Sequence, residues 1–133
     1  AIADDSGLVV DALDGAPGIY SARYAGEGAS DRANVDKLLQ AMAGVPAPAR
    51  TARFFCALVY LRDPHDPMPA ICQGTWEGSI LEAPRGSRGF GYDPVFYVLD
   101  RACSAAELEP ALKNRISHRG RAMSQLMAAL SAA

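Results

Sequence analysis

The stretch Phe54-Phe55-Cys56-Ala57-Leu58-Val59-Tyr60-Leu61 is a nearly continuous apolar run of strand length. Runs without alternating polar positions are typical of strands that lie in the middle of a sheet and are covered on both faces. We therefore predict a central strand over residues 54–61. Residues 70–81 predict one or two further strands, broken near Gly74 or Gly78, and a hairpin with the central strand.

A helix is predicted upstream of the central strand. Ser30 is a residue type that caps helix N-termini, and Gly44 is a type that ends helices. Between them, apolar residues recur at the helical spacing i, i+3, i+4 and i+7, namely Val35, Leu38, Leu39 and Met42. Nearer the N-terminus, residues 2–13 predict two strand segments separated by a kink at residues 5–7.

The C-terminal half predicts a loop, a short strand and a helix. Residues 84–94 contain Gly86, Gly89 and Gly91 and predict the loop, and residues 95–99 predict the strand. Ser117 can cap a final helix whose apolar face comprises Ala122, Met123, Leu126, Met127 and Leu130. Because strands and helices alternate along the chain, we expect an α/β or α+β sheet with helices packed on it.

The composition is that of a single globular domain. The chain has 133 residues, of which 50% are hydrophobic and 21% charged, so we expect one domain over residues 1–133. Every apolar run is interrupted before the roughly 18 to 20 residues that cross a bilayer, so we expect no membrane partner. The formal net charge of -2 provides no overall field for nucleic acid. Three widely spaced cysteines lack the pairing of zinc or disulfide frameworks, which favours a reducing cytoplasm.

Two adjacent carboxylates, Asp4 and Asp5, precede Ser6 and Gly7 at a predicted strand end. Mg²⁺ commonly takes one or two carboxylates together with water and substrate phosphates, and a carboxylate can also accept a proton from an attacking water. The alternative is a solvated turn, since this composition is ordinary for turns. In an extended strand the two side chains point to opposite faces unless the backbone bends.

The glycine-rich loop carries two aromatic residues and a carboxylate, in the sequence Phe90-Gly91-Tyr92-Asp93. Glycines let the backbone approach a flat ligand on which an aromatic ring can stack, which favours a base-binding loop. The alternative is that Phe90 and Tyr92 pin the loop to the core.

A basic cluster follows at an apparent helix start, where Lys113, His118 and Arg119 lie near Ser117. Two fixed cations, an imidazole and backbone N–H groups favour a small anionic ligand. A solvated basic face with an N-cap is the alternative interpretation.

Four blocks, taken together and in this order, closely resemble the inosine/xanthosine triphosphate pyrophosphatase family. They are Ala3-Asp4-Asp5-Ser6-Gly7-Leu8, residues 15–26 (GAPGIYSARYAG), residues 89–96 (GFGYDPVF) and residues 113–120 (KNRISHRG). The resemblance runs from Ala1 to the last helix.

The resemblance implies a fold and an activity. The fold would be α/β, with a mixed, mostly elongated sheet and helices packed on it that form two lobes around a nucleotide cleft. The protein would be a homodimer. The activity would be Mg²⁺-dependent hydrolysis of non-standard purine nucleoside triphosphates (ITP, dITP and XTP) to the monophosphate and pyrophosphate, which cleanses the nucleotide pool.

By position, the resemblance also implies residue roles. Asp5 matches the catalytic proton acceptor and a metal ligand, and Asp4 matches a second acidic contributor to the metal. The residues that match substrate-binding positions are Ser6, Phe90, Gly91, Tyr92, Asp93, Lys113, His118 and Arg119.

Family members begin with a strand and a phosphate-binding loop carrying Ser/Thr-x-Asn-x-x-Lys, followed by a segment with a further acidic ligand. Neither is present here, so we expect residues 1–133 to be the C-terminal two-thirds of such a domain. Three alternatives follow: a catalytically incomplete purine nucleotide-binding fragment, the related septum-inhibitor type of pyrophosphatase, whose motifs fit poorly, and a purely structural dimerisation piece.

Overall fold

A computed structural model describes residues 1–131, so the last two residues of the predicted domain, 132 and 133, lie outside the described range. Six strands within it form one sheet in the order β2-β1-β3-β4-β5-β6, and all five pairings are antiparallel. The strands are β1 (Ile2–Val10), β2 (Pro17–Gly18), β3 (Thr51–Tyr60), β4 (Ala70–Ile80), β5 (Phe96–Val98) and β6 (Cys103–Ser104). The α-helices of this range are α1 (Asp31–Ala41), α2 (Pro110–Ile116) and α3 (His118–Ser131). The predicted class, a sheet with helices packed on it, is confirmed.

The predicted central strand is confirmed as β3, which lies between β1 and β4. Its even-numbered residues from Ala52 to Leu58 are buried on one face of the sheet, and the intervening residues are partly exposed. β3 therefore carries the core on one face and a half-covered surface on the other.

Two predicted interruptions of strands are wrong. β1 has no kink at residues 5–7, because it pairs with β3 without a break from Ile2 to Val10. β4 is also one strand through Gly74 and Gly78. At Gly74, a Cβ would collide with the carbonyl oxygen of His118, so this glycine permits close packing of α3 on the strand.

Both predicted helix caps are confirmed. The Ser30 hydroxyl accepts a hydrogen bond from the Ala33 N–H at 3.1 Å, and the Ser117 hydroxyl accepts one from the Gly120 N–H at 3.1 Å. The predicted apolar face of the last helix is only partly buried, since Leu126 is 1% exposed and Met127 is 58% exposed. The sequence did not predict the short helix α2.

The core has two clusters on one face of the sheet. The larger joins α1 to the sheet through Leu38, Leu8 and Phe54, and the smaller packs Leu126 of α3 against Cys56 of β3. The candidate site lies between these two helices. None of the helices in residues 1–131 combines the length and apolar character needed to cross a bilayer.

Candidate nucleotide site

One cavity of about 560 Å³ collects all eight predicted substrate-binding residues. Its walls come from β1, β3, the segment after β2, the first turn of α1, the glycine-rich loop, α2 and the start of α3. The eight predicted residues that line it are Ser6, Phe90, Gly91, Tyr92, Asp93, Lys113, His118 and Arg119. The structure thus assembles residues separated by more than one hundred positions into one concave surface of the size that small ligands occupy.

The two adjacent carboxylates lie beside this cavity on opposite faces of β1. Asp4 shares the cavity face with Ser6, and the two side chains approach Arg119, whose Nη2 lies 3.6 Å from Asp4 Oδ2 and 3.2 Å from Ser6 Oγ. Asp5 occupies the alternate strand position and points to the other face. Both carboxylates are exposed, and neither lines the cavity itself.

The glycine-rich loop presents its two aromatic rings differently. Phe90 is 60% exposed, and Lys113 Nζ lies 4.6 Å from its ring centroid. Tyr92 is 5% exposed, and its hydroxyl donates to the Ser21 carbonyl at 2.7 Å. Phe90 is therefore free to contact a flat ligand, whereas Tyr92 anchors the loop to the facing wall.

Asp93 is buried and already engaged within the protein. Its carboxylate forms an ion pair with Lys113 and accepts a hydrogen bond from the Phe90 N–H at 3.0 Å. Gly89 has a φ of +75°, and a Cβ there would collide with this carboxylate. The described contacts thus make Asp93 a brace for the loop and for Lys113.

His118 is 7% exposed and forms part of the cavity wall. Its ring stacks on Phe54 at 4.8 Å between centroids and an interplanar angle of 16°. Burial, reinforced by the charges of Arg119 and Lys113, lowers the pKa of His118 from 6.5 to about 4. The imidazole is therefore neutral at pH 7, and its buried Nδ1 has no hydrogen-bond partner within the described residues.

Sequence reasoning gave no role to four other polar residues of the cavity wall, namely Ser21, Asp31, Asn34 and Asn114. The Ser21 hydroxyl accepts from the Leu8 N–H at 2.9 Å and donates to the Gly18 carbonyl. A signal for Asn34 was available in the sequence, because this polar residue lies four positions before Leu38 and so falls on the predicted apolar face of α1.

The residues beside the cavity fit Mg²⁺ by the chemistry of their donors, because carboxylate oxygens are the hard ligands that this ion takes. Asp5 has an exposed carboxylate, whereas Asp4 is close to Arg119. Residues 1–131 contain no group of three or more His, Cys, Asp or Glu side chains gathered as metal ligands.

A sequence model of the Ham1 family matches residues 1–129. The chain belongs to the Ham1 family, which confirms the resemblance carried by the four blocks.

Individual relatives agree with this assignment. The chain is 62% identical over 132 residues to the dITP/XTP pyrophosphatase of Vibrio parahaemolyticus, covering 99% of this chain and 66% of that protein. It is 57% identical over 130 residues to the protein of the same name from Shigella flexneri, with 98% and 66% coverage. It therefore spans slightly less than two-thirds of the length of these relatives.

A solved structure shows the same fold. The Ham1 protein of Coxiella burnetii superposes with a TM-score of 0.94 at 49% identity, covering 100% of this chain and 68% of that one.

Proposed function

We propose that this protein is a nucleoside triphosphate pyrophosphatase that hydrolyses ITP, dITP and XTP to the monophosphate and pyrophosphate. The observation that carries the proposal is the assembly of all eight predicted substrate-binding residues around one cavity. The names of the relatives, dITP/XTP pyrophosphatases, support the same substrate class.

The cavity offers donors suited to a 6-oxopurine. Lys113 and Arg119 are cations with N–H donors, and both lie over the exposed Phe90 ring, at 4.6 and 5.9 Å from its centroid. A keto oxygen at the 6-position accepts hydrogen bonds from such donors, whereas the 6-amino group of adenine donates and leaves them unpaired. The proposed site therefore favours inosine and xanthine nucleotides over ATP.

The proposed chemistry falls to the carboxylates beside Ser6. With the base in the cavity, the phosphates extend past Ser6 to the edge of the sheet, because β1 pairs with β2 only at Leu8 and Val9. Phosphates that turn around this edge reach Asp5, whose side chain lies on the face opposite the cavity. Asp5 accepts a proton as the water oxygen bonds to the α-phosphorus, and the bond to the bridging oxygen breaks to release pyrophosphate. Asp5 and Asp4 are the proposed Mg²⁺ ligands, and the bound ion would offset the negative charge of the phosphates.

Phosphate release tests the activity. ITP, GTP and ATP are each incubated with Mg²⁺, with and without added inorganic pyrophosphatase, using protein of confirmed intact mass. We expect orthophosphate from ITP only when the coupling enzyme is present, because the product is pyrophosphate. Orthophosphate without the coupling enzyme contradicts the proposal. Calorimetric binding of inosine monophosphate without turnover supports the alternative of a binding fragment.

A matched pair of variants tests the role of Asp5. We expect Asp5→Asn to lower kcat by a factor of about 100 or more, the usual contribution of a general base, while binding of inosine monophosphate is retained. Asp14→Asn makes the same chemical change at an exposed turn. It should leave kcat unchanged. Equal rates for Asp5→Asn and the unmodified chain would exclude Asp5 as the proton acceptor.

The proposal also includes a homodimer in a reducing compartment. Relationship to the Ham1 family supports the dimer, and sedimentation velocity tests it, since a monomer at all concentrations contradicts it. Cys56, Cys72 and Cys103 are all free thiols, which supports a cytoplasmic location. Burial raises the pKa of the Cys56 thiol to about 11, in keeping with a role in packing.

A further inference from the structure

Two carboxylates from distant parts of the chain hold consecutive amides of the glycine-rich loop. Asp93 Oδ2 accepts from the Phe90 N–H at 3.0 Å, and Asp31 Oδ2 accepts from the Gly91 N–H at 2.9 Å. Asp93 is a member of the loop, whereas Asp31 is the first residue of α1 and lies 60 positions away in sequence. The Asp31 contact therefore ties the loop to a helix.

The same turn of α1 also holds the facing wall of the cavity. Asn34, one turn after Asp31, is 3% exposed. Its side chain accepts from the Ala25 N–H at 2.8 Å and donates to the Ala22 carbonyl at 3.0 Å. Since Ala22 and Gly91 both line the cavity, this single helical turn spans the two walls between which a base would lie.

The loop has a conformation that depends on such support. Gly91 has a φ of +60° and nothing lies within 4 Å of the position of a Cβ, so side-chain packing does not hold it in place. Its N–H bond to Asp31 is the constraint that the structure provides at this residue. Gly91 follows Phe90 directly, so its position decides where the exposed ring sits relative to Lys113 and Arg119.

We propose that Asp31 is a positioning residue for nucleobase recognition, acting through the Gly91 amide to hold Phe90 beside the two cations. This inference rests on the proposed function and adds a determinant of base affinity that lies outside the four sequence blocks. Asp31 acts on the base end of the ligand, so its loss weakens binding of the nucleotide and leaves the phosphate end unaltered.

Three variants separate this role from general stability. Asp31→Ala removes the acceptor. Asp31→Asn keeps a carbonyl acceptor of the same shape and should therefore retain most of the nucleotide affinity. Asp36→Ala is the matched control, because Asp36 lies on the same helix and is exposed in an ion pair with Arg32 at 3.3 Å.

Calorimetry with inosine monophosphate gives the first readout. We expect the Kd of Asp31→Ala to rise by a factor of about 10, which corresponds to the loss of one charge-assisted hydrogen bond. The Kd of Asp31→Asn should stay within about threefold of the Kd of the unmodified chain, and the Kd of Asp36→Ala should not change. In the turnover assay, KM for ITP should rise in Asp31→Ala while kcat stays within about twofold, because the proton acceptor is untouched.

Amide hydrogen exchange gives a readout that needs no ligand. The Gly91 N–H should exchange at least about 10 times faster in Asp31→Ala, while the amides of β3 keep their protection. The inference is overturned if the Gly91 N–H exchanges at the same rate in Asp31→Ala and in the unmodified chain. It is also overturned if these two proteins bind inosine monophosphate equally well. An unmodified chain that binds no purine nucleotide instead overturns the proposed function, and the positioning role with it.

Discussion

The Arg119 guanidinium donates a hydrogen bond to the Ser6 hydroxyl at 3.2 Å, joining the first turn of α3 to β1 across 113 residues of sequence. The same Nη2 atom lies 3.6 Å from the Asp4 carboxylate. Arg119 thus connects the cavity to Asp4, one of the two carboxylates proposed for the chemistry. This one side chain therefore contacts two other predicted site residues, Ser6 and Asp4.

The Arg119 side chain can be tested directly. We expect Arg119→Ala to raise the Kd for inosine monophosphate by a factor of about 10 to 100, because it removes a charged donor from the cavity. Arg121→Ala is the control, since Arg121 donates to the Thr75 carbonyl at 2.9 Å outside the cavity. Calorimetry measures both, and a loss of affinity that is equal in the two variants contradicts a specific role for Arg119.

The neutral state of His118 predicts a pH dependence of stability. The folded chain holds the pKa of His118 near 4, below its ordinary 6.5, mainly because the ring is buried. Between pH 4 and pH 6.5 the unfolded chain binds more protons than the folded chain does. The stabilisation is therefore fully present above pH 6.5 and is lost as the pH drops towards 4. His118 therefore changes the free energy of unfolding by about 3 kcal/mol over this pH range, since one pKa unit corresponds to about 1.4 kcal/mol.

Urea unfolding at pH 7 and pH 5 measures this effect. His118→Gln should lose less stability over this interval than the unmodified chain. His65→Gln should follow the unmodified chain, because His65 is exposed in the loop after β3. Equal losses in all three proteins would show that His118 does not carry the dependence.

The buried Arg50 predicts a large effect on stability. Its guanidinium is 4% exposed and donates to the carbonyls of Met42, Val45, Ile80 and Leu81 at 2.7 to 3.1 Å. Arg50→Met leaves these buried acceptors without their donor, so we expect the free energy of unfolding to fall by about 2 to 4 kcal/mol. Arg32→Ala removes an exposed cation from α1 and should change it by less than about 0.5 kcal/mol.

Two glycines of the same loop give opposed expectations. Gly89 and Gly91 both have positive φ values, but a Cβ at Gly89 meets the Asp93 carboxylate, whereas a Cβ at Gly91 meets open space. Gly89→Ala should therefore displace Asp93 and Lys113 and weaken binding of inosine monophosphate by about 10-fold or more, while Gly91→Ala has a smaller effect. A larger loss of affinity for Gly91→Ala would show that the loop is not braced at Asp93.

Local sequence signals predicted the elements whose causes are themselves local. The Ser30 cap and the helical spacing of Val35 and Leu38 predicted α1, and an apolar run predicted β3, because capping and periodicity act within a few residues. The kink at residues 5–7 was wrong because the pairing of β1 with β3, some fifty residues away, overrides the local preference of Ser6 and Gly7 for a turn.

The properties of the candidate site also divide into those set by local sequence and those set by tertiary packing. The sequence by itself determined the family, and through that resemblance the eight residues around the cavity, because the four blocks carry particular side chains in a fixed order. Only the tertiary structure decided that Asp4 and Asp5 take opposite faces of β1, that His118 is neutral, and that Asp31 meets Gly91. These properties depend on burial and on contacts between residues far apart in the chain, which the packing of the helices on the sheet creates and which no short stretch of sequence encodes.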